Sequence, residues 1–458
     1  MNPFVNHRIA MAALMIVVVC ASGARAGGAP RFDIQPAPRL LADQPLSVVL
    51  DGLPPKKELR VRAERVIHSS FLGNQRRRFR SEAWYVSDAQ GRIDLATAAP
   101  RRGSYEGADL RGLFWSMTPT TDVLQAQDKT GVVHLHVFDG DTMLAEAHVN
   151  IASPADAVRS EPLAQFPGAV LIKPKTAAGK LPVIILLGGA EGGNGAARDH
   201  GPRLAALGYA VLGLPYFSPA AQPGGPREVP ALPADFAMIE VRQLDAVRDW
   251  LRSRSDIDAG RIGLFGASKG AEFALLAASH LGWVKAVVAI TPSDVVWEGY
   301  GWDTEPGTRP SFALDGKPLA FVPYKGFIEE YMRFGAGLPV HLRRPHDQGR
   351  SAHPQAAVKA RIPVERFKGA LLLLAGQDDQ LWNSAAMAHN IAERRSEAGL
   401  ATELLVYSDA GHYLVGDGWS PTAHYNAGLS QSGGTQAGNA RAQIDARPRI
   451  VAFLRRAL

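Results

Sequence analysis

One cysteine, Cys20, stands among 458 residues. An internal disulfide is therefore excluded, and so is a metal site built on several cysteines. No His-Glu-x-x-His pattern occurs either, so no metal is indicated and no cofactor is expected. An excess of one charge is also missing. The 50 lysines and arginines stand against 44 aspartates and glutamates, a formal net charge of +6. The densest basic run, Arg76-Arg77-Arg78 with Arg80, lacks interleaved aromatics. It reads as a solvated face, and no nucleic-acid partner is expected. Apolar runs of membrane-spanning length are absent. The longest, Ile9 to Ala21, is too short to cross a bilayer comfortably.

That run has its own meaning. Arg8 precedes it and Ala24-Arg25-Ala26 follows it. A basic start, an apolar core and an Ala-x-Ala site have the form of a secretory signal peptide over residues 1–26. A periplasmic or secreted location is expected, with no membrane span left after cleavage. Removal would take Arg8 and Arg25 and leave a charge of 48 − 44 = +4. It would also take Cys20, leaving no thiol nucleophile.

Two domains are expected in the remainder. From Leu46 to about Ile151, short strand-like runs alternate with turn residues. Ser47–Leu50, Leu59–Ala63 and Val132–Val137 are examples, and the last alternates apolar with polar. Trp84 to Leu95 reads as strand, turn, strand. An all-β sandwich over residues 32–155 follows from this pattern. The glycine- and aromatic-rich stretch Arg102–Met117 reads as a loop packed across one sheet by Phe114 and Trp115.

After Pro162 the pattern becomes strand then helix. Apolar strands are expected at Val183–Leu187, Tyr209–Leu214, Ile262–Phe265, Ala286–Ile290, Leu371–Leu374 and Leu404–Tyr407. A helix capped by Asp235 and running to about Arg252 would place Ile239, Leu244, Val247 and Leu251 on one face. Such alternation predicts an α/β fold over residues 162–458, a mostly parallel sheet with helices on both faces. Ligands of such sheets bind beyond the C-terminal strand ends.

Three residues fall at those ends. Gly266-Ala267-Ser268-Lys269-Gly270 joins a strand to a helical stretch, the Gly-x-Ser-x-Gly pattern of a nucleophile elbow. Asp378 and Asp379 follow the strand Leu371–Leu374. His412 follows Leu404–Tyr407. The order Ser268, Asp379, His412 is that of the α/β-hydrolases. The catalytic carboxylate is assigned to Asp379, with Asp378 a helix cap or a surface residue. Lys269 is expected to supply one amide of an oxyanion hole. The second amide should come from Gly188-Gly189-Ala190-Glu191-Gly192-Gly193, at Gly189 or Ala190. A lid-like insertion over 293–365 holds Trp297, Tyr300, Trp302, Phe312, Phe321, Tyr324, Phe327 and Tyr331. It also holds His341, Arg343, Arg344, His346, Arg350 and His353. Its aromatics either line an acyl pocket or pack as a lid. Its basic cluster either meets an anion or forms a solvated edge.

With these residues in view, the chain resembles the acyl-CoA thioesterase / bile acid-CoA:amino acid N-acyltransferase family. The resemblance is carried by Gly103-Ser104-Tyr105 and Gly112–Met117 in the first domain. In the second it rests on Gly266–Gly270, Ile362–Glu365, Gly376–Asp379 with Trp382-Asn383-Ser384, Gly411-His412-Tyr413, and the tail Gly433-Gly434 with Ala440–Ala446. It implies a β-sandwich joined to an α/β-hydrolase domain, and a triad at Ser268, Asp379 and His412. It implies a small-molecule acyl thioester or ester substrate and an acyl-enzyme intermediate. Transferases of that family are associated with a cysteine nucleophile, so the serine favours hydrolysis over acyl transfer to an amine. A periplasmic ester hydrolase and a non-catalytic binding protein are the alternatives.

Overall fold

A computed structural model describes residues 28–458, apart from 37–38, 42–45, 70–74, 125–129 and 153. The signal-peptide expectation for residues 1–26 lies outside the described residues. No helix among the described residues is long and apolar enough to cross a membrane.

The first domain is built of two packed sheets. Arg31–Gln35, Ser47–Asp51 and Ile93–Asp94 form one. The larger sheet runs Arg39–Leu41, Thr142–Ala152, Val132–Asp139, Glu58–Ser69, Gln75–Val86, Arg102–Gly103, with Thr118–Pro119 also on Gln75–Val86. Alternation does the sorting. Val133, Leu135 and Val137 are buried while their neighbours are half-buried or exposed. They meet Val48 and Leu50 of the small sheet in one apolar core. The two strands read from Trp84 to Leu95 lie in different sheets, so the turn between them crosses the sandwich.

The second domain is one eight-stranded sheet. Its strands are β1 Val158–Pro162, β2 Val170–Pro174, β3 Leu181–Leu187, β4 Ala210–Gly213, β5 Ile257–Ala267, β6 Ala286–Ile290, β7 Ala370–Gly376 and β8 Glu403–Tyr407. Their order across the sheet is 1-2-4-3-5-6-7-8. β1, β2 and β4 pair antiparallel, and every pair from β4 to β8 is parallel. The sheet thus begins at Val158, before the change in pattern at Pro162. The central stretches Val183–Leu187, Ile262–Phe265, Ala286–Ile290 and Leu371–Leu374 carry no polar side chain because both faces are covered. Ile185, Leu264, Val287 and Leu373 face one side with Phe273 and Leu276. Ile184, Phe265, Val288 and Leu372 face the other with Ile450 and Phe453.

The helix expected from Asp235 begins only at Gln243 and ends at Arg252. Leu244, Val247 and Leu251 are its buried face, as the spacing predicts. Ile239 and Glu240 instead form a short strand parallel to Phe312 and Ala313. Asp235 accepts hydrogen bonds from Thr304 Oγ1 and the Asp303 amide. It holds the insertion, and it caps nothing.

The two domains share a core. The stretch around Trp115 is a short helix, Gly112–Trp115, and reaches beyond its own sheets. Phe114 meets Trp419 edge-on at 5.0 Å, and Trp115 O accepts the Thr422 amide at 3.1 Å. Arg65 reaches Trp419 O at 3.0 Å. Trp419 and Ala440 of the second domain belong to the sandwich's apolar cluster.

Candidate active site

β5 ends at Ala267 and the helix Lys269–His280 starts two residues later, so Ser268 alone makes the turn. Its backbone stands at φ 57°, ψ −124°, a strained conformation for a residue with a side chain. The turn needs bare backbone on both flanks. A Cβ on Gly266 would lie 2.1 Å from Gly270 O, and one on Gly270 would lie 2.3 Å from Leu187 O. Gly270→Ala should therefore lower the melting temperature by at least several degrees and abolish any activity, as thermal denaturation and an assay would register. An unchanged melting temperature would contradict this packing.

β7 and β8 deliver the other two side chains. Asp379 Oδ2 accepts from His412 Nδ1 at 2.8 Å, with both side chains buried. Asp379 Oδ1 accepts the Leu381 and Trp382 amides at 2.9 and 3.3 Å. Both oxygens are thus committed. Because the Asp379 carboxylate accepts a hydrogen bond from Nδ1–H, Nε2 is the basic nitrogen of the neutral ring. That Nε2 is buried and has no hydrogen-bond partner among the described residues. The structure therefore joins Asp379 to His412, and it sets Ser268 at the end of β5, with β6 between it and β7, without a hydrogen bond from Oγ to the ring.

Backbone stacking fixes the histidine. A Cβ on Gly376 would lie 2.1 Å from Gly411 O, and one on Gly411 would lie 2.4 Å from Gly433 backbone. Three strands of chain thus pile up where no side chain fits. The tail also ties the loop by hydrogen bonds. The His412 amide donates to Ser432 O at 2.9 Å, and the Gly411 amide donates to Asn439 Oδ1 at 2.8 Å. Asp378 belongs to the same support. Its Oδ2 accepts the Gly434 amide at 2.9 Å, and Asn383, not Asp378, caps the helix Ser384–Glu397.

The candidate oxyanion donors have unequal surroundings. Lys269 is the first residue of its helix, so its amide has no intrahelical acceptor. Its side chain is buried, and Nζ donates to Glu272 at 2.9 Å and to Ser311 Oγ at 3.2 Å. Burial pulls the ammonium's pKa down and the Glu272 carboxyl's up, while each partner favours the other's charge. Glu272 also accepts the Trp297 amide, which fastens the insertion to the nucleophile's helix. The Gly189 amide donates to Glu191 Oε1 at 2.9 Å. Ala190 is exposed on the same loop.

The insertion corrects the expected basic cluster. Arg350 makes a two-pronged ion pair with Asp294 at 2.7 and 2.8 Å. Arg344 pairs with Glu330, and Arg343 with Asp347 and the carbonyl of Asp379. These arginines pair with the protein's own carboxylates, and Arg344 does so on the exposed edge that one of the two readings expects. His346 is buried against Trp297, Tyr324 and Trp382, and burial pulls its pKa down to about 3. The aromatics divide. Trp297 and Tyr324 stack inside, while Trp302 and Tyr331 meet on the surface. Among the described residues, no three His, Cys, Asp or Glu side chains gather as metal ligands do.

Sequence reasoning missed the roles of Glu191, Asn439 and Ser432. Glu191 carried a signal, as the only charge in a glycine-rich loop. The others act through partners remote in the chain.

Comparison with known proteins now places the chain. A model of the acyl-CoA thioester hydrolase/BAAT N-terminal region matches residues 43–165, and one of the BAAT/acyl-CoA thioester hydrolase C-terminal region matches 240–458. The chain belongs to the acyl-CoA thioester hydrolase/BAAT family. A dienelactone hydrolase family model also matches residues 168–298 of this family member. Acyl-coenzyme A thioesterase 1 of Rattus norvegicus is 28% identical over 399 residues, covering 84% of this chain and 85% of that one. Acyl-coenzyme A thioesterase 5 of Mus musculus is 28% identical over 449 residues, covering 94% and 97%. Among solved structures, a putative dienelactone hydrolase from Klebsiella pneumoniae superposes with a TM-score of 0.40 at 19% identity. It covers 65% of this chain and 98% of that one.

Proposed function

We propose that the protein hydrolyses acyl thioesters through Ser268, His412 and Asp379. The observation that carries this reading is the buried Asp379–His412 hydrogen bond, which leaves Nε2 of the ring buried and without a hydrogen-bond partner among the described residues. Ser268 Oγ attacks the acyl carbonyl while His412 Nε2 takes its proton. The carbonyl oxygen becomes an oxyanion held by the Lys269 and Gly189 amides. Collapse breaks the C–S bond, and His412 returns the proton to the leaving thiolate. Water then attacks the acyl-enzyme with the same proton relay and releases the acid. The thioester preference is supported by relatives named acyl-coenzyme A thioesterases over most of the chain's length.

Plain ester hydrolysis uses the same steps, and the match to the dienelactone hydrolase family keeps it as a second reading. A secretion signal at residues 1–26 would favour it, and export to the periplasm is part of that alternative. The deciding experiment compares kcat/KM for acyl-CoA and for aryl esters of the same acyl chain, with glycine offered as an acceptor. Preference for acyl-CoA without amide formation is expected. Faster turnover of the esters would sink the thioesterase reading, and an amide product would make the protein a transferase.

A further inference from the structure

The loop after β3 carries one charge, and it sits on the amide proposed as the second oxyanion donor. Glu191 Oε1 accepts the Gly189 amide at 2.9 Å. Its Oε2 lies 2.8 Å from the point where a Cβ on Gly189 would stand. That same point is 3.4 Å from Ser268 Cβ and 3.3 Å from Ala267 O. The carboxylate and the nucleophile therefore flank one glycine from two sides.

Among the described residues no lysine or arginine pairs with Glu191, and Asp199 and His412 are the titratable side chains that act on it. Tyr216, Tyr300 and Tyr413 also lie within its field. The side chain remains exposed by area, yet the walls of the site desolvate it and raise its pKa above the usual carboxylate range. Two backbone amides, Gly189's and its own, offset part of that.

The loop backbone is fixed by bonds that do not involve the carboxylate. Tyr216 OH donates to Gly188 O at 2.6 Å, the Gly192 amide to Gly189 O at 3.3 Å, and the Gly193 amide to Phe217 O at 3.0 Å. Gly270 is wedged against the carbonyls of Leu187 and Gly188. The Gly189 amide can change partner only if the Glu191 carboxylate leaves. One N–H cannot serve a carboxylate and an oxyanion together, and the two negative charges repel at such a separation.

We propose that Glu191 is the resident ligand of the oxyanion site, and that the acyl group must displace its carboxylate before Ser268 can react. Glu191 is thus a positioning residue for the proposed reaction, and the inference rests on that reading. It holds the Gly189 amide in register in the free protein. It also opposes binding of any acyl group too small to push it aside.

The test is the rate at which a fluorophosphonate labels Ser268 in the wild type, Glu191→Ala and Glu191→Gln. Removing the competitor should speed labelling about tenfold in the alanine variant, the low end of what one hydrogen bond to a charged group supplies. Glutamine keeps an acceptor without the charge and should fall between. Labelling of Glu191→Ala at or below the wild-type rate would overturn the inference, as the Gly189 amide would then not be limiting. Absence of labelling in all three, with normal melting curves, would remove the hydrolase reading itself, and this inference with it. A structure of the wild type with a boronate on Ser268 gives an independent check. The Glu191 carboxylate should be off the Gly189 amide and a boronate oxygen on it. A carboxylate still in place would refute displacement.

Discussion

Replacing Ser268 with alanine is expected to lower turnover of every acyl substrate by ~10⁴-fold or more, the scale of losing the nucleophile of a triad. No substitute nucleophile is at hand. The one cysteine, Cys20, lies in the first 26 residues, and the Lys269 amine is buried and paired with Glu272. The fold should survive, since alanine meets the same strained φ of 57° that serine already tolerates and fills less space. The variant should melt within a few degrees of the wild type, and intact-mass analysis should find no acyl adduct. Retention of more than a few per cent of activity in a folded variant would mean that another group attacks the substrate.

Asp379→Asn should lower kcat by roughly 10³–10⁴-fold, and Asp378→Asn by less than about tenfold. The geometry around Asp379 explains the severity. Its Oδ1 is held by the amides of Leu381 and Trp382. An asparagine would keep its oxygen there and turn its NH₂ toward His412 Nδ1. The ring would then accept at Nδ1 and carry its proton on Nε2, the atom that must take one from serine. Asp378, by contrast, holds Gly434 and Gln380 at the surface. An asparagine there keeps an acceptor for the Gly434 amide. Measured kcat for both variants decides the matter. A larger loss at position 378 would reverse the assignment of the carboxylate.

The elbow and the strand ends were legible because their signals are local. Ile262–Phe265 is uniformly apolar, the glycines flank Ser268 at fixed spacing, and Asp379 and His412 each follow an apolar run directly. The misreadings all turn on distant partners. Ile239 and Glu240 look helical by spacing, but a strand more than seventy residues later pairs with them. Arg344 and Arg350 leave an anion site and a solvated edge equally open until Glu330 and Asp294 are found opposite. Arg102–Met117 does pack on its own sandwich through Phe114 and Trp115, but nothing near Phe114 in the chain announces Trp419. Glu191 was visible as a charge among glycines, but only a structure places its oxygen on the Gly189 amide.

The meeting of Phe114 with Trp419 bears on how this gene is handled. Trp419 stands seven residues past His412, on the chain that leaves the candidate base. A coding sequence divided between the sandwich and β1 would part Phe114 from Trp419 and uncover apolar surface on both halves. The two halves should therefore be produced together, since a shuffled sandwich would have to bring its own matching surface or the histidine's loop would lose its floor.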